Sequence, residues 1–199
     1  MTWGVRDLTV RFGRVLALDG VDVELVPGQI HAAVGGDGAG KTTLLRVLAG
    51  LDLKQRGRLR LPEPGRTGYV PPQGGVFGDL TVAENMEFIA DAYGLSGWGK
   101  RSAQLLEEAG IAEFDERLAA RLSGGQRRKL AGSMALLPTP DLLVLDEVTT
   151  GVDPVRIMDL WRQIAGAAAQ GAAVIVATCY LDEAERAAAV VLLHEGRTL

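Results

Sequence analysis

"GGDGAGKTT" occupies Gly35–Thr43, preceded by the apolar run "GQIHAAVG" from Gly28 and followed by "KTTLLRVLAGL", which ends at Leu51. The first run has the length and composition of a buried strand. In the last, Leu44, Leu45, Val47, Leu48 and Leu51 recur at helical spacing, and Gly50 is placed to end the helix. Strand, glycine loop, helix is the opening of a βαβ unit. The loop satisfies G-x-x-x-x-G-K-[ST], whose glycines let successive backbone N–H groups turn towards phosphate oxygens. Lys41 then reaches the outer phosphates, the Thr42 hydroxyl serves Mg2+, and the helix N-terminus adds its partial positive charge. A chance glycine-rich turn is the competing reading, and the two flanking elements count against it.

Working outward, "VRDLTVRF" (Val5–Phe12) and "VDVELV" (Val21–Val26) alternate as half-buried strands do, with Gly13 and Gly20 as turn signals. The middle, about 74–137, reads as helical: "TVAENMEFIADAYGL" and "KRSAQLLEEAGI" are amphipathic, and Thr81 is an N-cap three residues before Glu84. After Pro138 the chain returns to buried strands, "DLLVLDE" (Asp141–Glu147) and "AAVIVAT" (Ala172–Thr178), with a helix around "VRIMDLWRQIAGAAAQG" between them. "RLRLPEPGRTG", Arg58–Gly68, reads as a connector. The expected fold is α/β, a core interrupted by a helical insert.

The 199 residues are 47% hydrophobic, enough for one sizeable core or two unequal lobes. One cysteine, Cys179, leaves no internal disulfide and fits a reducing compartment. The net charge of −4 does not advertise nucleic-acid binding, and "RRK" at Arg127–Lys129 reads as a solvated helix face. No apolar run approaches the roughly 18–20 residues that span a bilayer, and the alternating, charged start is unlike a secretory leader. The expectation is a cytoplasmic chain whose work at a membrane needs a partner that crosses it.

Two further stretches carry chemistry. "LLVLDE" ends a buried strand in Asp146, suited to Mg2+, and Glu147, suited to polarising a water; alone, a strand ending in Asp-Glu at a helix cap is commonplace. "LSGGQRRKL", Leu122–Leu130, places Ser123, Gly124, Gly125 and Gln126 at a helix start, a second anion-binding terminus, or else an ordinary glycine-rich cap. One nucleotide does not easily touch both lobes of one molecule, so the second terminus suits a nucleotide held by another subunit.

Together these stretches resemble the nucleotide-binding domain of ATP-binding-cassette (ABC) transporters over nearly the whole chain: phosphate loop, glutamine loop near Gln73, "LSGGQ", "LLVLDE", then "GVDP" at Gly151–Pro154. "GYVPPQGGVFGDLTVAEN", "TTGVDP" and "YLDEAE" look like its multidrug-efflux and exporter branch. The resemblance implies a P-loop NTPase cassette spanning 1–199, with a mixed β-sheet core (about 1–73 and 138–199), an N-terminal antiparallel β subdomain and an inserted helical signature subdomain (about 74–137). It implies ATP and Mg2+. Gly35, Gly36, Asp37, Gly38, Ala39, Gly40, Lys41, Thr42 and Thr43 would hold the phosphates; Thr42, Gln73 and Asp146 would serve the metal; Lys41, Gln73 and Glu147 would be catalytic. Phe12 would stack on adenine or be a strand core residue; Ser123–Gln126 and Asp153 would reach a nucleotide bound by a second cassette. A membrane-spanning permease would dock on the helical insert, placing the chain on the inner face of the membrane.

Departures from the pattern fall at four places. Cys179 stands where the family usually has a histidine, in "TCYLDEA"; it lacks a nearby base for a nucleophile and soft co-ligands for a metal, so it reads as a placeholder, a short thiol and weak donor. Pro72 stands where the glutamine usually does, with Gln73 one residue late. Val148 and Gly36 replace prolines, the latter loosening the loop. The expectation is Mg·ATP binding with slow hydrolysis. A soluble ABC ATPase acting on DNA or ribosomes and a non-hydrolysing regulatory cassette are the alternatives. The chain stops at "LLHEGRTL", short of the family's usual end, which suggests a truncated C-terminus, and His194 there reads as a polar surface residue.

Overall fold

The computed structural model describes residues 2–148 and 154–199, apart from the side chains at 154–157 and 159. The strands are β1 (Trp3–Phe12), β2 (Val15–Leu25), β3 (Ile30–Val34), β4 (Arg56–Arg60), β5 (Thr67–Val70), β6 (Leu142–Asp146), β7 (Ala173–Thr178), β8 (Ala189–His194) and β9 (Arg197–Thr198). β2, β1 and β4 form an antiparallel sheet in that order. The second sheet has the order β5-β6-β7-β3-β8-β9; its first five strands are parallel and β9 returns antiparallel. The helices are α1 (Lys41–Leu48), α2 (Val82–Ala92), α3 (Gly99–Glu108), α4 (Gly124–Leu136), α5 (Pro154–Ala169) and the short α6 (Leu181–Ala184).

The central parallel strands β3, β6 and β7 are almost wholly apolar because both of their faces are covered. On β6, Leu142 and Val144 join α1 and the antiparallel sheet in one core, while Leu143 and Leu145 join α2–α5 in another. Ile175 and Val174 of β7 divide the same way. Each such leucine, isoleucine or valine contributes about 1.5–3 kcal/mol by leaving water. α1 ends as its sequence predicts: Gly50 takes φ 84° and donates to the Val47 carbonyl, while Leu51 donates to Arg46. His31 is buried, its Nε2 accepting from the Val26 N–H and its Nδ1 facing the Val174 carbonyl; burial lowers its pKa, so the ring is neutral.

The connector expectation needs correction. "RLRLPEPGRTG" holds most of β4 and the start of β5, flanking a short turn. β4 escaped notice because every one of its residues is exposed, so no apolar face marks it; pairing with β1 makes it a strand. The "RRK" reading also holds only for Arg127, since Arg128 and Lys129 are half-buried and partnered.

Thr81 caps α2 reciprocally: its hydroxyl accepts from the Glu84 N–H at 3.1 Å, and the Glu84 carboxylate accepts from the Thr81 N–H at 2.7 Å. Replacing Thr81 by alanine is expected to cost about 1 kcal/mol in urea denaturation, and by serine much less. Equal losses for both would place the effect elsewhere.

Candidate functional site

Three parallel strands bring the site together. Val34 of β3 is paired with Thr178 of β7, and Ala177 of β7 with Asp146 of β6. Gly35, Glu147 and Cys179 therefore leave the sheet side by side at its carboxyl end, where ligands of parallel α/β sheets bind. The loop after β3 closes on α1 at Gly40, whose φ of 105° suits glycine. A Cβ there would stand 2.7 Å from Leu18 Cδ2 and 2.9 Å from the Ala17 carbonyl oxygen.

Lys41 is 4% exposed. Its ammonium donates to the Gly35 carbonyl at 2.8 Å and the Gly36 carbonyl at 3.1 Å, and lies 3.4 Å from the Glu147 carboxylate. Glu147 has φ 51°, left-handed backbone that costs a bulky residue about 1–3 kcal/mol, and its N–H donates to the Ala177 carbonyl. Strain of this kind marks a side chain aimed by the fold rather than by local preference.

The Thr42 hydroxyl donates to Asp146 Oδ1 at 3.2 Å. Asp146 is fully buried, and its Oδ2 has no hydrogen-bond partner among the described residues. Burial pushes its carboxyl up from the ordinary value, the neighbouring Glu147 charge adds to this, and the Thr42 bond opposes it. The Thr42 hydroxyl and the Asp146 carboxylate, with one of its oxygens unpartnered, are hard-oxygen donors that fit Mg2+.

A pocket of about 440 Å3 is lined by Asp37–Thr43 and Glu147, and also by Val15–Ala17, Glu195 and Gly196. Sequence reasoning missed the last two. The turn between β8 and β9 buttresses the loop: the Gly196 N–H donates to the Ala39 carbonyl, and its carbonyl accepts from the Asp19 N–H. Only the "EG" turn signal in "HEGRTL" hinted at it. Phe12 is 47% exposed at the end of β1, opposite Val15 of the pocket wall, so it is no core residue.

Ser123–Gln126 are not in this pocket. Ser123 caps α4, its hydroxyl accepting from the Gln126 N–H and its own N–H donating to the Gln126 side chain. Gly124 lines a second cleft, of about 490 Å3, with Gln73, Pro72, Arg127 and Arg128. Gln73 is exposed there, apart from the phosphate loop. Cys179 is an exposed free thiol, and Asp153 lies outside the described residues. Thr178, just before the cysteine, is buried and donates to the buried Glu183 carboxylate at 2.6 Å.

Fold and site are those of a phosphate-loop α/β nucleotide-binding protein. The family profile described as ABC transporter matches residues 18–150. The chain is 37% identical over 195 residues to the probable multidrug ABC transporter ATP-binding protein YbhF of Escherichia coli, covering 90% of this chain and 33% of the relative. It is 35% identical to the Nod factor export ATP-binding protein I of Cupriavidus metallidurans, covering 92% of this chain and 64% of that one. A solved ATP-binding subunit of an ABC transporter superposes with a TM-score of 0.89 at 28% identity, over all of this chain and 88% of that one. A nucleotide-free cassette at 22% identity shares the fold, with a TM-score of 0.87. The chain thus spans a third of the one relative's length and just under two thirds of the other's. It belongs to the ABC transporter family.

A raised Asp146 pKa favours the protonated carboxyl in the folded chain, so its contribution to stability is complete below the unfolded value and lost as pH rises through the folded one. Ligand-free Asp146→Asn protein should therefore be more stable than the parent at neutral pH, the gap narrowing on acidification in parallel denaturant titrations. Mg2+ should add to nucleotide stabilisation in the parent only. A gap independent of pH would contradict the burial argument.

Proposed function

We propose that this chain is the ATP-binding and ATP-hydrolysing subunit of an exporter-type ABC transporter. The observation that carries the reading is the pairing of Thr42 with a buried, half-satisfied Asp146 beside Lys41 and Glu147. On this reading residues 1–199 are one nucleotide-binding domain, with a core of about 1–73 and 138–199 and a signature subdomain of about 74–137.

The amides of Gly35–Thr43 and the N-terminus of α1 hold the triphosphate, and Lys41 exchanges the Gly35 and Gly36 carbonyls for phosphate oxygens. Phe12 stacks on the base. Thr42 and Asp146, with Gln73 as a further ligand, would hold Mg2+, which would supply positive charge against the phosphates. Glu147 takes the proton of the attacking water as ATP and water become ADP and phosphate. Ser123–Gln126 and Asp153 serve the nucleotide of a second cassette, of the same or another chain, so that two domains enclose two ATP molecules. The separation of the α4 N-terminus from the phosphate-loop pocket supports this dimer.

No described helix is long and apolar enough to cross a membrane, so transport needs a permease, subunit or fused domain. The half-exposed Phe77 and Phe88, tilted against each other with ring centroids 4.5 Å apart, offer it an apolar foothold on the helical region. The cell location is the inner face of the membrane.

Cys179 cannot donate to the γ-phosphate as an imidazole does, and as a thiolate would repel it, so hydrolysis is slow. Steady-state phosphate release should rise about 100- to 1,000-fold in Cys179→His, the scale of one well-placed donor. Glu147→Gln should lower it by about 100-fold or more while ATP still binds. A fast parent unimproved by histidine refutes the weak site; no release from either protein favours a regulatory cassette that binds without hydrolysing.

A further inference from the structure

We propose that the outer face of the antiparallel sheet is a contact for an anionic phospholipid surface, with Arg6, Arg58 and Arg60 receiving the lipid phosphates. β4 is the edge strand of that sheet, and all five of its residues are exposed. Arg56, Arg58 and Arg60 recur at every second position along it, and Arg6 of the central strand is paired directly with Arg58. Arg6, Arg58 and Arg60 line one groove of about 330 Å3, together with Trp3, whose buried indole N–H has no acceptor among the described residues. None of the four arginines has an ion pair or side-chain hydrogen bond among the described residues.

Like charges set directly opposite one another destabilise a strand pair, so an anion there relieves a cost already present. Charge on an edge strand is ordinarily a guard against stray pairing, which accounts for β4. It does not account for Arg6, which stands on a strand paired on both sides. The acidic side chains nearby are Asp7, next to Arg6 on β1, and Asp22 and Glu24 on β2 beyond it; Asp22 is engaged by the Asp7 N–H, and Glu24 lines the groove without forming an ion pair. The sheet is thus polarised, arginine edge against acidic edge, and would meet a membrane β4 first.

Arginine rather than lysine at each position suits phosphate, because the planar fork bonds two oxygens at once. The whole chain carries a net charge of −4, so an anionic leaflet repels it except where this face is presented. The proposal rests on the membrane-side role above only for bringing a membrane within reach.

Full-length protein would be floated with vesicles of phosphatidylcholine alone and of equal parts phosphatidylcholine and phosphatidylglycerol, with ATP affinity measured on the same samples. Binding should require the anionic lipid, weaken with salt, and fall about fivefold per arginine lost, so that the triple variant R6Q/R58Q/R60Q loses roughly 100-fold. The corresponding lysine variants, which keep the charge but lose the fork, should bind more weakly than the parent and more tightly than the glutamine variants. Binding equal on neutral vesicles, or unchanged in the triple variant, overturns the proposal. So does retention on immobilised polyglutamate without vesicle binding, which would make the partner an acidic protein segment. Loss of ATP affinity in the parent would bear on the nucleotide site and leave this result standing.

Discussion

A buried ammonium held only by its own loop and one carboxylate from a neighbouring strand end is the constraint on which this structure turns. Lys41 lies under the loop, saturated by two backbone carbonyls and an adjacent carboxylate. Burial of an unpaired cation would be very costly, so the loop keeps its curled shape around the side chain even without ligand. Phosphate oxygens satisfy the same donors. The ligand-free chain is in this sense already shaped for its ligand, and binding exchanges partners instead of building a site.

The rest of the fold holds matching chemistry at that point. Parallel pairing of β3, β7 and β6 carries three loops to one end of the sheet, and a shift of any strand by one residue would swap the side chains facing its two cores and carry its loop out of register. Asp146 reaches Thr42 from the strand end, and Glu147 reaches Lys41 through a strained backbone. The Asp146 carboxylate sits where water is excluded, the costlier state in the absence of a cation, while Glu147 stays partly exposed at the pocket wall. The same arrangement makes a divalent ion and a triphosphate stabilising on arrival.

The phosphate loop, both flanking elements and the caps of α1 and α2 were legible because each is fixed by neighbours in sequence. Glycine spacing, a helical leucine repeat and the Thr81–Glu84 pair encode their structure within one or two turns. β4 was not legible, because a strand exposed at every position has no pattern and exists only through β1. Nor was the Glu195–Gly196 buttress, which comes from the far end of the chain. Alignment placed Gln73 one residue late, and the structure puts it in the cleft beside α4 instead of the phosphate pocket. That cleft contains the start of the signature helix, so the two features that sequence treated separately share one wall.

Calorimetric titration of the folded protein with ATP, in the presence of magnesium, tests the central claim most directly, with Gly40→Ala as the paired control. The account predicts one saturable site in the parent and none in the variant, whose added methyl would press on Leu18 and the Ala17 carbonyl. Undetectable binding in the parent, or equal binding by both proteins, would contradict it.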